Sequence, residues 1–160
     1  MNKQLLVAID ASDAAANAVS VAEQLARELK ARIILLHVID PLTWGRMAEG
    51  IHRFEPTLDQ LYQAGEALLR DTRARLAPDL EVAVVLQEGS PADVILCEAA
   101  DRDVDLIVLG TDSRGRLSHF LLGSTADAVI RRADRPVLSV RHNANCARQA
   151  DEPHQAVAPT

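Results

Sequence analysis

The segment Leu5-Leu6-Val7-Ala8-Ile9-Asp10-Ala11-Ser12 decides the fold at the start of the chain. Its first five residues are all apolar, as is typical of a strand that is covered on both faces. Ser12 can cap the Ala-rich segment that follows. In that segment apolar residues recur at helical spacing, namely Ala18, Val21, Ala22, Leu25 and Leu29. The segment therefore predicts a strand, a tight turn and a helix.

The same unit recurs along the chain. Further strands are predicted at 32–39, 80–86, 106–109 and 137–140, with helices at about 58–76, from Ser90 and Pro91 onward, and at 124–133. Because each helix must cover a sheet face on its way to the next strand, this alternation predicts a parallel sheet. We expect one α/β domain over residues 1–141, with an open, five-stranded, mainly parallel sheet and helices on both faces. The tail, 142–160, has no apolar period, and we expect it to be disordered.

Composition narrows the classes of function. The chain has 160 residues, of which 48% are hydrophobic and only 2% aromatic, and its formal net charge is −6. An acidic chain disfavours nucleic acid as a partner, because binding to a phosphate backbone needs a basic face. The arginines at 70–75 and 131–135 are expected to lie on solvated helix faces. Cys97 and Cys146 form no short-spaced pair, and no apolar run is long enough for a membrane span. We therefore expect a cytoplasmic protein.

Three segments are predicted to meet at the carboxyl ends of the strands, where ligands bind in open α/β sheets. They are residues 9–12, 37–39 and 110–124. In the third, Gly123 and Ser124 present free N–H groups and a hydroxyl at the start of a helix, which favours an anion such as phosphate. The alternative is that Gly123 only permits a turn and Ser124 only caps the helix.

Other kinds of site are disfavoured. Gly110 and Gly115 have the outer spacing of a phosphate loop, but Arg116 follows where Lys is required, which argues against Walker-type chemistry. The chain lacks a Gly-x-Ser-x-Gly elbow and short-spaced His or Cys metal pairs. His37 is expected to be packed or hydrogen-bonded, and His119 to be solvated. Asp10 is the best carboxylate for a site, but no base or nucleophile accompanies it, and one carboxylate alone does not predict an enzyme.

The spacing Gly110-x-x-Ser113, nine residues, then Gly123-Ser124 resembles the nucleotide loop of the universal stress protein family. ATP-binding members of that family have Gly-x-x-Gly, nine residues, then Gly-Ser or Gly-Thr. Residues 7–12, 36–38, 89–92 and 135–140 are also similar to that family, so the resemblance covers nearly all of residues 3–141. It implies a Rossmann-like fold of the adenine nucleotide α-hydrolase type. It also implies a stress-response regulatory protein that binds ATP, with Mg²⁺ or Mn²⁺, at the ends of strands one, two and four.

The resemblance further implies roles for individual residues. Ile9 and Asp10 would lie against the adenine and ribose, and the backbone of Val38 would contact the edge of the adenine. Gly110 would let the ribose and phosphates approach. The phosphates would be held by N–H groups and hydroxyls at the helix start, from Gly123, Ser124 and Thr125.

Ser113 departs from the pattern, because ATP-binding members have glycine at this position. Its Cβ would crowd the phosphates, and the charge of Asp112 would oppose them unless Arg114 and Arg116 offset it. We therefore expect ATP to bind more weakly than in a relative with glycine here. The alternative is a dimeric interaction protein of the same family that binds no nucleotide.

Two further segments bear on partners. The last strand, Val137-Leu138-Ser139-Val140, would leave an unpaired edge at the sheet margin, and such edges tend to be covered. In the resembling family this strand pairs across a two-fold axis, so we predict a homodimer. The long connection between Asp40 and Pro56 contains Trp44 and is either a lid or partner surface, or a short amphipathic helix over the sheet edge.

Overall fold

A computed structural model describes residues 3–41, 56–112 and 123–142, in which strands and helices alternate. The elements are β1 (Gln4–Ala8), α1 (Asp13–Leu29), β2 (Arg32–Ile39), α2 (Leu58–Arg75), β3 (Val82–Glu88), α3 (Pro91–Asp101), β4 (Leu106–Asp112), α4 (Ser124–Arg132) and β5 (Val137–His142). The five strands form one sheet in the order β3-β2-β1-β4-β5, and every pairing is parallel. The predicted fold class is confirmed.

The strand order reverses beside β1. The chain builds outward through β2 to β3 and then returns to place β4 on the other side of β1, so Val7 pairs with Leu35 on one side and Val108 on the other. The carboxyl ends of β1 and β4 therefore flank the switch point, where open α/β sheets bind ligands. β5 lies at one margin of the sheet, which is the condition on which the expected unpaired edge depends, and β3 lies at the opposite margin.

Side chains that alternate along each strand divide the core between the two faces of the sheet. Leu5, Val7 and Leu35 pack on the face covered by α1 and α2, whereas Leu6 and Ile34 pack on the face covered by α3 and α4. On the first face α1 buries a stripe of alanines, which are Ala14, Ala15, Ala18, Ala22 and Ala26. These small side chains let the helix axis lie close to the sheet.

The stripe of α1 differs in part from the predicted one. Ala18 and Ala22 are buried as expected, but Leu29 is 40% exposed. Leu29 comes in the last turn, after the buried stripe has ended at Ala26. None of the helices in the described ranges is long and apolar enough to cross a bilayer.

Several element boundaries also differ from those predicted. β3 begins at Val82 rather than at residue 80, and β4 and β5 continue to Asp112 and His142. The longer ends arise because the ladder pairs Thr111 with Arg141 and Asp112 with His142. His142, expected in the disordered tail, is therefore the last residue of β5, and residues 143–160 lie outside the described part of the chain.

Candidate functional site

The turn between β1 and α1 is held by its own side chains. One carboxylate oxygen of Asp10 accepts the backbone N–H of Ser12 at 2.9 Å and also the Ser12 hydroxyl. Oγ of Ser12 accepts the N–H of Ala15 at 3.1 Å, which confirms the predicted N-cap. Asp10 is exposed at the rim of the sheet, so this network holds its carboxylate at the switch point.

Ile9 and His37 join this turn to β2. The N–H of Ile9 donates to the carbonyl of Leu36 at 2.8 Å, and Nδ1 of His37 lies 2.8 Å from the carbonyl oxygen of Ile9. A Cβ on Gly65 would lie only 2.9 Å from the His37 ring, so glycine lets α2 pack against the imidazole. The prediction that His37 is a packed, hydrogen-bonded residue is confirmed.

The start of α4 is built differently. Gly123 is the N-cap, with φ −49° and ψ 152°, a conformation open to any residue, and its missing side chain leaves the helix without a side-chain cap. The first hydrogen bond of the helix runs from the N–H of Asp127 to the carbonyl of Gly123, at 3.0 Å. The N–H groups of Ser124, Thr125 and Ala126 precede that bond and have no partner within the helix. This arrangement favours an anion.

The two glycines of the predicted loop have different surroundings. A Cβ on Gly110 would lie 2.5 Å from the carbonyl oxygen of Ala14 and 2.5 Å from the nitrogen of Ala15, so close packing of β4 against α1 requires glycine. A Cβ on Gly123 would meet nothing within 4 Å. Within residues 3–41, 56–112 and 123–142, neither packing nor backbone conformation explains Gly123, whereas Gly110 has a structural reason apart from any ligand.

A cleft of about 710 Å³ crosses the carboxyl end of the sheet. It brings together four of the predicted site residues from three separate segments, Asp10, Val38, Ser124 and Thr125. Its remaining walls include the start of α3 at Pro91 and one face of α2. A volume of this size is typical of small-molecule sites, which span roughly 300–1,000 Å³.

The other predicted residues do not line this cleft. The side chain of Ile9 is 6% exposed and belongs to the core beneath α1 and α2, where it borders a separate groove of about 400 Å³. Gly110 and Gly123 are not among the described residues that line the cleft. Ser113 lies outside the described residues, as do Arg114, Arg116, His119, Trp44 and Cys146.

Arg132 is a cleft residue that the sequence analysis missed. Its side chain is 55% exposed, in agreement with the expected solvated helix face, but it also lines the cleft, and its Nη1 lies 2.6 Å from Oδ1 of Asp93 on α3. Hydrogen bonds from Arg132 first, and from Ser90 second, hold the pKa of the Asp93 carboxyl below its usual value. The helical spacing of Thr125, Ala128 and Arg132 places the three residues on one face of α4. This spacing is the sequence signal from which Arg132 could have been assigned to the cleft.

Metal ligands are sparse around the cleft. Within residues 3–41, 56–112 and 123–142, no three His, Cys, Asp or Glu side chains cluster closely enough to hold a metal ion. A divalent cation at this site would therefore need oxygen ligands from a bound molecule such as a nucleoside triphosphate.

Comparisons with known proteins agree on one family. Residues 1–141 match the model of the universal stress protein family. A universal stress protein of Thermus aquaticus is 35% identical over 141 residues, which cover 88% of this chain and 100% of that protein. The structure of protein MJ0577 from Methanocaldococcus jannaschii superposes with a TM-score of 0.73 at 26% identity, covering 89% of this chain and 98% of that one.

A further solved structure, of a universal stress protein in complex with cAMP, superposes with a TM-score of 0.64 at 25% identity and covers 89% of this chain and 98% of its own. The family match spans the described sheet up to Arg141, together with the segments that border the cleft. The chain therefore belongs to the universal stress protein family.

Proposed function

We propose that this chain is a cytoplasmic regulatory protein of the stress response that binds ATP, with Mg²⁺ or Mn²⁺, in the cleft at the carboxyl end of its sheet. The observation that carries the proposal is that Asp10, Val38, Ser124 and Thr125 border one cleft although they come from three separate segments. The complex of a similar universal stress protein with cAMP supports an adenine nucleotide as the ligand.

The start of α4 supplies the phosphate end of the proposed site. The N–H groups of Ser124 and Thr125, which have no partner within the helix, suit phosphate oxygens together with the two hydroxyls, and the positive end of the helix dipole favours the phosphate charge. The carboxylate of Asp10 can accept a ribose hydroxyl, because the network with Ser12 occupies one of its two oxygens. Mg²⁺ or Mn²⁺ would bind chiefly through the phosphates and would neutralise their charge.

The last residues of β2 supply the part of the proposed site that contacts the adenine base. The last bond from β1 to β2 runs from Ile9 N–H to the Leu36 carbonyl, while the Ile39 carbonyl accepts Gly89 N–H on the opposite side. Along a parallel strand, the backbone N–H and C=O groups of successive residues point alternately toward the two neighbouring strands. The N–H and C=O of Val38 therefore point to the β1 side of β2, at a level where β1 has already ended. One donor and one acceptor side by side suit the N1 and N6 edge of adenine.

A titration of ATP with Gly123→Val tests the location of the phosphates. The valine side chain would enter space that is empty in the fold, so we expect an unchanged circular dichroism spectrum and loss of ATP binding in calorimetry. Ala100→Val, an exposed change at the far end of α3, is the matched control and should bind as wild type does. If Gly123→Val binds ATP as well as wild type does, the phosphates do not lie at the start of α4.

Ser113→Gly tests the proposed cost of the missing glycine. Losing or straining one hydrogen bond to a charged phosphate costs about 1–3 kcal/mol, and about 1.4 kcal/mol is a factor of ten in affinity. Ser113→Gly should therefore tighten ATP binding by roughly five- to a hundredfold. If neither wild type nor Ser113→Gly binds ATP, the chain is a dimeric interaction protein without nucleotide, which is the second candidate.

We also propose a homodimer through β5. This strand is at the sheet margin, and Leu138 and Val140 are only partly buried within the chain, so a partner strand would cover them. Val140→Lys should reduce the mass found by light scattering to that of a monomer. Val84→Lys, at a 52% exposed position of the opposite edge strand β3, should leave the dimer intact. The reverse result would mean that the dimer forms through β3.

A further inference from the structure

One face of α4 lines the cleft over the whole length of the helix. Ser124 and Thr125 are at one end of this face, Ala128 is in the middle and Arg132 is at the other end. A helix rises 1.5 Å per residue, so the eight steps from Ser124 to Arg132 span about 12 Å. Arg132 therefore lies at the end of this face that is distant from the proposed phosphate site.

The walls between the two ends are small and apolar. Ala92 and Pro91 of α3 face the cleft together with Ala128 of α4 and Val38 of β2. Such walls leave room for a flat aromatic base and offer few side-chain hydrogen bonds to it. The polar groups at the base end are then the Val38 backbone and the side chains that close the cleft, among them Arg132.

Arg132 is held in place across the gap between α3 and α4. Its Nη1 is 2.6 Å from the Asp93 carboxylate, and within the described residues Asp93 is its polar partner. A guanidinium carries five N–H donors, so the pair with Asp93 leaves donors for another acceptor. Hydrogen bonds from Arg132 and Ser90 keep the pKa of Asp93 low, so the carboxylate that positions the guanidinium stays charged at neutral pH.

We infer that Arg132 is a base-recognition residue, positioned by Asp93, which donates a hydrogen bond to ring nitrogen N7 of a bound purine. This inference rests on the proposed nucleotide site. The backbone of Val38 takes the N1 edge, which leaves the neighbouring edge with N7 for a side chain at the far end of the cleft. Arginine is well suited to N7, since the ring nitrogen is an acceptor and guanidinium is a donor without acceptors.

The test compares ATP with 7-deaza-ATP, in which a carbon replaces N7 and the rest of the nucleotide is unchanged. We expect wild type to bind 7-deaza-ATP about tenfold more weakly than ATP, the size of one hydrogen bond from a charged donor. Arg132→Met keeps an unbranched apolar side chain and removes the donors, so it should bind both nucleotides within about twofold of each other.

The neighbouring arginine provides the matched control. Arg131 pairs with Asp127 on its own helix at 2.8 Å and does not line the cleft, so Arg131→Met should keep the tenfold preference. Asp93→Ala should reduce the preference, and Asp93→Asn, which retains an acceptor oxygen for Arg132, should restore most of it. A purely structural role of the ion pair would lower affinity for both nucleotides equally.

The outcomes separate the inference from the proposed function. If wild type binds ATP but does not distinguish it from 7-deaza-ATP, or if Arg132→Met keeps the full preference, Arg132 does not read N7, although the nucleotide site stands. If wild type binds neither nucleotide, the proposed function is itself wrong and the inference is overturned with it.

Discussion

Two loops enter helices at the same edge of the sheet, and they satisfy their polar groups in opposite ways. In the turn before α1, Asp10 and Ser12 bond to each other, and Ser12 caps the helix. At the start of α4, Gly123 offers no side chain, and the first N–H groups lack a partner within the helix. The first loop uses its polar side chains to stabilise the fold, and the second leaves backbone donors for a ligand.

The largest effect on stability should come from Gly110→Ala. The new Cβ would collide with the backbone of Ala14 and Ala15, which cannot move without displacing α1, and overpacking of this kind costs about 1–3 kcal/mol. Urea unfolding measures the loss. Gly123→Ala is the matched control, since its Cβ meets nothing. Equal stability of the two variants would show that β4 does not approach α1 so closely.

Ser12→Ala should have the next largest effect. It removes the hydroxyl that accepts Ala15 N–H and also donates to Asp10, and loss of an N-cap costs about 1 kcal/mol. Thermal and urea unfolding both report the change. Ser20→Ala, at an exposed position inside the same helix, should not destabilise the protein. A loss as large in Ser20→Ala would rule out capping as the cause.

Asp10→Asn should separate the fold role of this residue from its role in the cleft. The amide oxygen can still accept from Ser12, so we expect stability to change by less than about 0.5 kcal/mol. ATP affinity should fall if the carboxylate accepts a ribose hydroxyl, and calorimetry of ATP against 2′,3′-dideoxy-ATP shows whether the hydroxyls are involved. A stability loss as large as that of Ser12→Ala would mean that the charge serves mainly the turn.

Gly123→Ser should have the smallest effect on stability and the opposite sign. The backbone at this position is extended, as an N-cap requires, so serine would cap α4 and stabilise the fold by about 0.3 kcal/mol. The new hydroxyl would also compete for an N–H group offered to phosphate, so ATP affinity should fall. If both stability and affinity fall, the two loops do not differ in the way described above.

Much of the fold could be predicted because apolar periodicity encodes it directly. The boundaries of β2 match those predicted, and Ser12 caps α1 as expected. The ends of β4 and β5 could not be found in this way, because Asp112 and His142 are polar, and it is the backbone register that extends the strands to them. Local sequence carries little information about such ladder ends.

The candidate site could be predicted only in part. Asp10, Val38, Ser124 and Thr125 were identified from the ends of strands and from the loop spacing, and they do share a cleft. The place of Arg132 depends on how α4 packs beside α3 and on the charge of Asp93, which are tertiary facts. The close approach of Gly110 to α1 is of the same kind, because it joins residues far apart in sequence.

The contact between Gly110 and the first turn of α1 adjoins the turn that carries Asp10 to the cleft. No side chain separates these two backbones, and close-packed groups of this kind transmit displacement instead of absorbing it. On the other side α3 and α4 are joined by the Asp93–Arg132 pair, whose side chains are both more than half exposed, and such pairs resist separation weakly. We therefore expect the side of the cleft formed by α3 and α4 to yield more readily than the side that carries Asp10.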